Sequence, residues 1–113
     1  MAEIQSIPLL VVITSFSRRE DAQVMARQLL EQRLAACVQI MEGVLSVYRW
    51  QGRICEEQEV ILTAKSDATQ WKEIAAFIKT NHPYDVPEVI GMTPSEYDRA
   101  YGQWVRAEVK PES

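Results

Sequence analysis

The chain has 113 residues, nearly half of them apolar, and a formal net charge of -4. That length fits one domain over residues 1–113, with enough apolar residues for a core but only modest stability, so assembly is a natural supplement. The acidic balance, with no Lys/Arg run, argues against a nucleic-acid groove or an anionic membrane surface as the main partner.

The first apolar run, Ile7 to Ile13, is β-branched at its last three positions and reads as a central strand with Pro8 at its start. It is too short to cross a bilayer, and Glu3 precedes it with no Lys or Arg before Arg18, so no signal peptide is expected. The expected location is cytoplasmic, with Cys37 and Cys55 reduced. Ser17 and Glu20 have capping-box spacing and predict a helix from about Arg18. Ala22, Met25, Ala26, Leu29 and Leu30 form its apolar stripe, and it should end near Gln32 or Arg33.

Leu34 to Trp50 reads as a long strand with a bulge or bend at Gly43. Gln51-Gly52 signals a tight turn, and Arg53 to Lys65 returns as a second long strand. Such long hairpin arms leave edges that invite pairing, which points to another subunit. Asp67 and Gln70 give a second capping signal, followed by the stripe Trp71, Ile74, Ala75 and Ile78; Asn81 and Pro83 stop that helix. Val86 to Met92 reads as a further strand. Thr93-Pro94-Ser95-Glu96 predicts a last helix with Thr93 as cap, carrying Tyr97, Tyr101, Trp104 and Val105 on one face as core or interface, before a polar tail from Lys110 to Ser113. The order β-α-β-β-α-β plus a terminal helix predicts an α+β, ferredoxin-like sandwich.

His82-Pro83-Tyr84-Asp85-Val86-Pro87-Glu88 is the densest candidate stretch. It holds the only histidine, and two prolines stiffen its backbone against helix. It is either a polar cluster at a strand mouth or a plain helix-to-strand connection. No CxxC or HxxxH is present, so a closed structural zinc site within one chain is not expected. Cys37 with His82 would suit copper or zinc by softness. Cys37 lies mid-strand, where nothing lowers its pKa, so a cysteine enzyme is disfavoured. A two-residue turn at Gln51-Gly52 sets Trp50 opposite Arg53, Cys55 opposite Tyr48 and Glu59 near Val44. Without a bulge Cys37 faces Ser66, and a bulge at Gly43 shifts this by about a residue. Glu59 then lies about 20 Å from Cys37 along the ladder, and Cys55 about 35 Å, too far for a disulfide. Glu59 is either an outward-facing strand residue or a carboxylate at a subunit cleft. If it shares a site with Cys37, the two come from different subunits.

Five stretches carry a family resemblance: Arg33 to Val38, Ser46 to Gly52, Glu59 to Leu62 with Lys65, His82 to Glu88, and the late Tyr101 and Trp104. In this order the chain resembles the CutA family of divalent-cation-tolerance proteins. The resemblance implies a non-enzymatic homotrimer like the PII signalling proteins, its long arms reaching into neighbouring subunits. It also implies a link to tolerance of copper or other divalent cations. Cys37, His82 and Glu59 are the implied metal candidates; Tyr84, Lys65, Glu88 and Trp50 complete the implied cleft. The alternative is a PII-like small-molecule sensor or adaptor without metal ligation, binding an organic anion around Lys65 and Arg33. Gln39 and Ser66 depart from the family pattern, which usually has Asn and Thr there, and Cys55 matches no family site.

Overall fold

The computed structural model describes residues 7–112; Glu3 and Ser113, named above, lie outside them. The elements are β1 (Leu9–Phe16), α1 (Arg19–Glu31), β2 (Cys37–Trp50), β3 (Arg53–Asp67), a 3-10 turn (Ala68–Gln70), α2 (Trp71–Asn81), β4 (Ile90–Met92) and α3 (Arg99–Glu108). The strands form one antiparallel sheet in the order β2-β3-β1-β4. Helix α1 thus joins two strands that flank β3, and α2 joins two that flank β1. This is the split βαβ layout expected from the element order.

One face of the sheet carries the main core. Leu10, Val12 and Phe16 of β1 and Val60, Leu62 and Ala64 of β3 meet Ala22, Met25 and Leu29 of α1 and Ile74 and Ile78 of α2. Each large side chain buried this way contributes about 1.5–3 kcal/mol. Packing of these stripes, more than intrinsic propensity, therefore holds two short helices in place. On the other face α3 covers one end only, where Val105 and Val109 pack on Leu9. Val11, Ile13 and Ile61 remain half-buried beyond it, and Met41, Ile90 and Met92 are exposed.

The hairpin keeps the expected register at Trp50↔Arg53, Tyr48↔Cys55 and Val44↔Glu59. Gln51 and Gly52 both have positive φ (51° and 79°), the geometry of a type I′ turn. The register shifts between Met41 and Val44, so Glu42 and Gly43 together oppose Val60, and Cys37 pairs with Lys65. Gly43 has φ 76°, a value glycine adopts without penalty. Strand β1 pairs with β3 only from Val60 to Asp67. Residues Arg53 to Glu59 therefore have β2 alone beside them, and the pair projects as a ribbon about 20 Å long. The projection stretches the chain to 51 Å in its longest dimension.

Several expected boundaries move. Strand β1 continues through Thr14, Ser15 and Phe16, because β3 supplies pairing partners beyond the apolar run. Helix α1 begins after Arg18, and no side chain caps it; Ser17 is engaged elsewhere. Leu34 and Ala35 belong to the turn before β2. Helix α1 ends in a Schellman turn, in which Leu34 N–H donates to Leu29 O (2.9 Å) and Arg33 N–H to Leu30 O (3.0 Å). Strand β4 is only three residues long, because β1 pairs with Ile90 to Met92 alone. Asp67 caps the 3-10 turn through Thr69 N–H, while the Gln70 amide donates to Lys110 O. Helix α3 starts at Arg99, not Pro94: Asp98 accepts the Tyr101 N–H at 3.0 Å and takes the capping role assigned to Thr93. Its buried positions are Gly102 and Val105. Tyr101 and Trp104 point outward, with Trp104 44% exposed, so the aromatic face is not core within the protomer.

Candidate functional site

A cleft of about 620 Å³ opens between the ribbon and the segment after α2. Its ribbon wall is Ser46, Val47, Tyr48, Trp50, Glu57 and Glu59; the facing wall is Tyr84, Asp85, Val86 and Glu88, with Ser15 and Ser17 at the floor. Strand parity explains the first wall. Glu57 and Glu59 lie two apart on one face of β3, and their partners Ser46 and Val44 continue that face on β2. The prolines explain the second, since Pro83 and Pro87 keep the segment extended and out of helix.

His82 fastens this segment to the sheet. Its Nδ1 accepts the Tyr84 N–H at 3.1 Å. Its Nε2 lies 2.7 Å from the Ser15 carbonyl oxygen, which can only accept. Nε2 therefore carries the proton, and the imidazole is the neutral Nε2–H tautomer. The ring stacks on Phe16 at 4.3 Å and 12° and is 9% exposed. Burial pushes its pKa below the ordinary value, against the opposing pull of the Ser15 carbonyl and the charges of Asp21 and Glu59.

Tyr84 ties the segment to the ribbon. Its hydroxyl lies 2.9 Å from Glu59 Oε2 and 2.7 Å from Ser17 Oγ. A carboxylate only accepts, so Tyr84 donates to Glu59 and receives the Ser17 proton. Burial raises the Tyr84 pKa, and the hydrogen bond to Glu59 adds to the rise. Across the ribbon Tyr48 donates to Glu57, and that bond pushes the exposed Tyr48 phenol up to about 12.

Trp50, Glu59, Tyr84 and Glu88 thus line one cleft, with His82 behind it. Cys37 and Lys65 do not join them. They pair with each other at the base of the hairpin, and Lys65 Nζ donates to Gln39 Oε1 at 2.6 Å. Lys65 lies six positions beyond Glu59 on β3, about 20 Å along the strand. Cys37 and His82 are not brought together within one protomer, and among the described residues no group of three His, Cys, Asp or Glu side chains is placed to hold an ion. Arg33, considered for an organic anion, is committed elsewhere. Its Nε and an Nη donate to Glu108 O (3.0 Å) and Ala107 O (3.1 Å), closing the C-terminus of α3. Glu57 and Ser17 escaped the sequence reading. Glu57 was open to detection by its two-residue offset from Glu59; Ser17 carried a helix-cap signal, and only the tertiary fold shows its hydroxyl on Tyr84.

A sequence profile described as "CutA1 divalent ion tolerance protein" matches residues 10–108. This chain belongs to the CutA family. The divalent-cation tolerance protein CutA of Thermus thermophilus is 40% identical over 96 residues, 85% of this chain and 93% of that protein. The chloroplastic protein CutA of Arabidopsis thaliana is 31% identical over 90% of this chain and 56% of its own length. Among solved structures, CutA1 of Oryza sativa superposes with a TM-score of 0.89 at 30% identity, covering 94% of this chain and 97% of that one. The Thermus thermophilus CutA1 structure gives 0.87 at 37% identity, covering 90% and 99%. The CutA likeness thus spans both cleft walls and the ribbon. Gln39 accepts from Lys65, and Ser66 donates to Leu34 O at 2.6 Å, so both polar side chains find partners. Among the described residues no helix is long and apolar enough to cross a membrane.

Proposed function

We propose that the chain acts in divalent-cation tolerance as a non-enzymatic homotrimer, taking up copper or another divalent ion where the cleft of one subunit meets the hairpin base of the next. In this arrangement Glu59 of one subunit and Cys37 of another supply oxygen and sulfur donors. The observation that carries it is the ribbon, which bears one cleft wall and, among the described residues, has no third strand beside it. A two-stranded ribbon is marginal alone in water. This one exposes Leu45, Val47, Trp50 and Ile54, the last at 71%. The half-open sheet face around Ile13 and Met92 offers apolar surface to receive it. The relatives' names supply the tie to divalent cations.

Charge favours a cation over the alternative of an organic anion. Among the described residues of one subunit Glu57, Glu59, Asp85 and Glu88 line the cleft and no Lys or Arg does, so even with Lys65 arriving beside Cys37 from the next subunit the acids stay in excess. Bound there, an ion would find oxygen donors from Glu59 and a soft thiolate from Cys37, a mixed set suited to copper or zinc. The thiolate role asks that Cys37 stay reduced, as it would in a cytoplasmic setting.

The intact mass of the native assembly tests the first half. Three chains are expected, and a stable folded single chain at micromolar concentration overturns the shared cleft. Calorimetric titration of Cu(I) and Zn(II) into wild type, Cys37→Ser and Glu59→Gln tests the second. Each variant is expected to lose at least tenfold in affinity; equal affinity throughout removes both residues from the site.

A further inference from the structure

We infer that His82 serves the cleft as a positioning residue and not as a metal ligand: it fixes Tyr84, and Tyr84 with Ser17 fixes the carboxylate of Glu59. The functional meaning of this role rests on the cation reading above; the geometry stands without it.

A metal takes a neutral imidazole through its unprotonated nitrogen. In His82 that nitrogen is Nδ1, and the Tyr84 N–H already occupies it at 3.1 Å. The bond from Nε2–H to Ser15 O resembles the outer bond that usually orients a metal-bound histidine. Here, however, the nitrogen left over meets a backbone amide and not an open coordination position. The Phe16 ring, 4.3 Å away and nearly parallel, closes one side of the imidazole. To ligate, His82 must release the Tyr84 amide and shift the segment that carries the phenol.

As a strut, His82 needs no rearrangement. It sets the backbone at Tyr84, and the tilted ring contact at 4.8 Å sets the phenol beside it. From there the protons run one way, Ser17 to Tyr84 to Glu59, over 2.7 and 2.9 Å. Glu59 Oε2 is held by this chain, while among the described residues Oε1 takes no hydrogen bond and stays available to an ion. Glu59 sits where the ribbon leaves the sheet, so without the tether its carboxylate would follow the motion of the ribbon.

The test is nitrogen NMR on the full chain in its native assembly, labelled at histidine. With one histidine in the sequence the assignment is unambiguous. The expected spectrum shows two well-separated ring nitrogens, one protonated and one accepting, unchanged on saturation with Zn(II) or Cu(I). A ring nitrogen displaced by either metal overturns the inference. His82→Gln and Tyr84→Phe are each expected to weaken ion binding about tenfold, the usual size of an outer-contact loss. Combined they should cost no more than one alone, since both act through Glu59; fully additive losses overturn the inference. The last readout needs no metal. The Tyr84 backbone amide, which donates to Nδ1 in wild type, should exchange its hydrogen at least tenfold faster in His82→Gln. Unchanged exchange overturns the positioning role. If wild type takes up no ion at all, the cation reading falls, and this exchange rate still decides what His82 does.

Discussion

Thr14 is fully buried in β1, and its hydroxyl has no hydrogen-bond partner among the described residues. It lies in the row Leu10, Val12, Thr14, Phe16 that faces the two core helices. An unpaired buried hydroxyl costs about 1–3 kcal/mol, and an apolar group of the same shape removes that cost. Thr14→Val is therefore expected to leave urea stability unchanged or raise it by about 1 kcal/mol; a loss of that size would mean the hydroxyl is bonded after all. His82 makes stability depend on pH with a definite sign. Its folded pKa lies below the 6.5 of an exposed histidine, so on acidification the unfolded chain takes up the proton first. The His82 contribution is whole above about pH 6.5 and is lost as pH falls from there toward the depressed folded value. The urea midpoint should fall across that window in wild type, and His82→Gln should lack this component while keeping the carboxylate-driven loss at lower pH. At this scale the sequence named Tyr84, Glu59, Glu88 and Trp50 as cleft residues on the strength of motif and resemblance. It could not see that the imidazole of His82 has both nitrogens engaged, because the Ser15 carbonyl lies far away in the chain and nothing local marks it.

The elements that hydropathy and turn chemistry jointly specify came out as expected. Gln51-Gly52 set the register of the ribbon, and the bulge at Gly43 moved Cys37 by one residue to Lys65. What sequence missed depended on competition between local signals. Thr93-Pro94 and Asp98 each offer a helix start, and the later one caps α3. The extended segment from Val86 resembles a strand, but β1 has room to pair with only its last three residues. The turn itself can be improved. Gln51 occupies φ 51°, a region that suits Asn far better than Gln. Gln51→Asn should stabilise the hairpin by about 0.5 kcal/mol, seen as a higher urea midpoint; a lower midpoint would show that the Gln51 side chain makes a contact in the assembly.

For the molecule as a whole, the two faces of the sheet divide the work. The helix-covered face closes a core within one chain, and the other leaves Ile13, Met41, Ile90 and Met92 short of cover. Under the proposed assembly folding and association are coupled, and the thermal midpoint should rise with protein concentration. A midpoint constant over a hundredfold dilution would mean that a single chain accounts for the whole stability. Strand β2 bears on how far such association can go. It forms an outer edge of the sheet over fourteen residues, a length at which strand-by-strand stacking into fibres becomes a hazard. The bulged pair Glu42-Gly43, two residues against the single Val60, breaks that edge into two short rows and turns one against the other. An incoming strand can follow either row but not both, which favours a closed particle of few copies over an endless one.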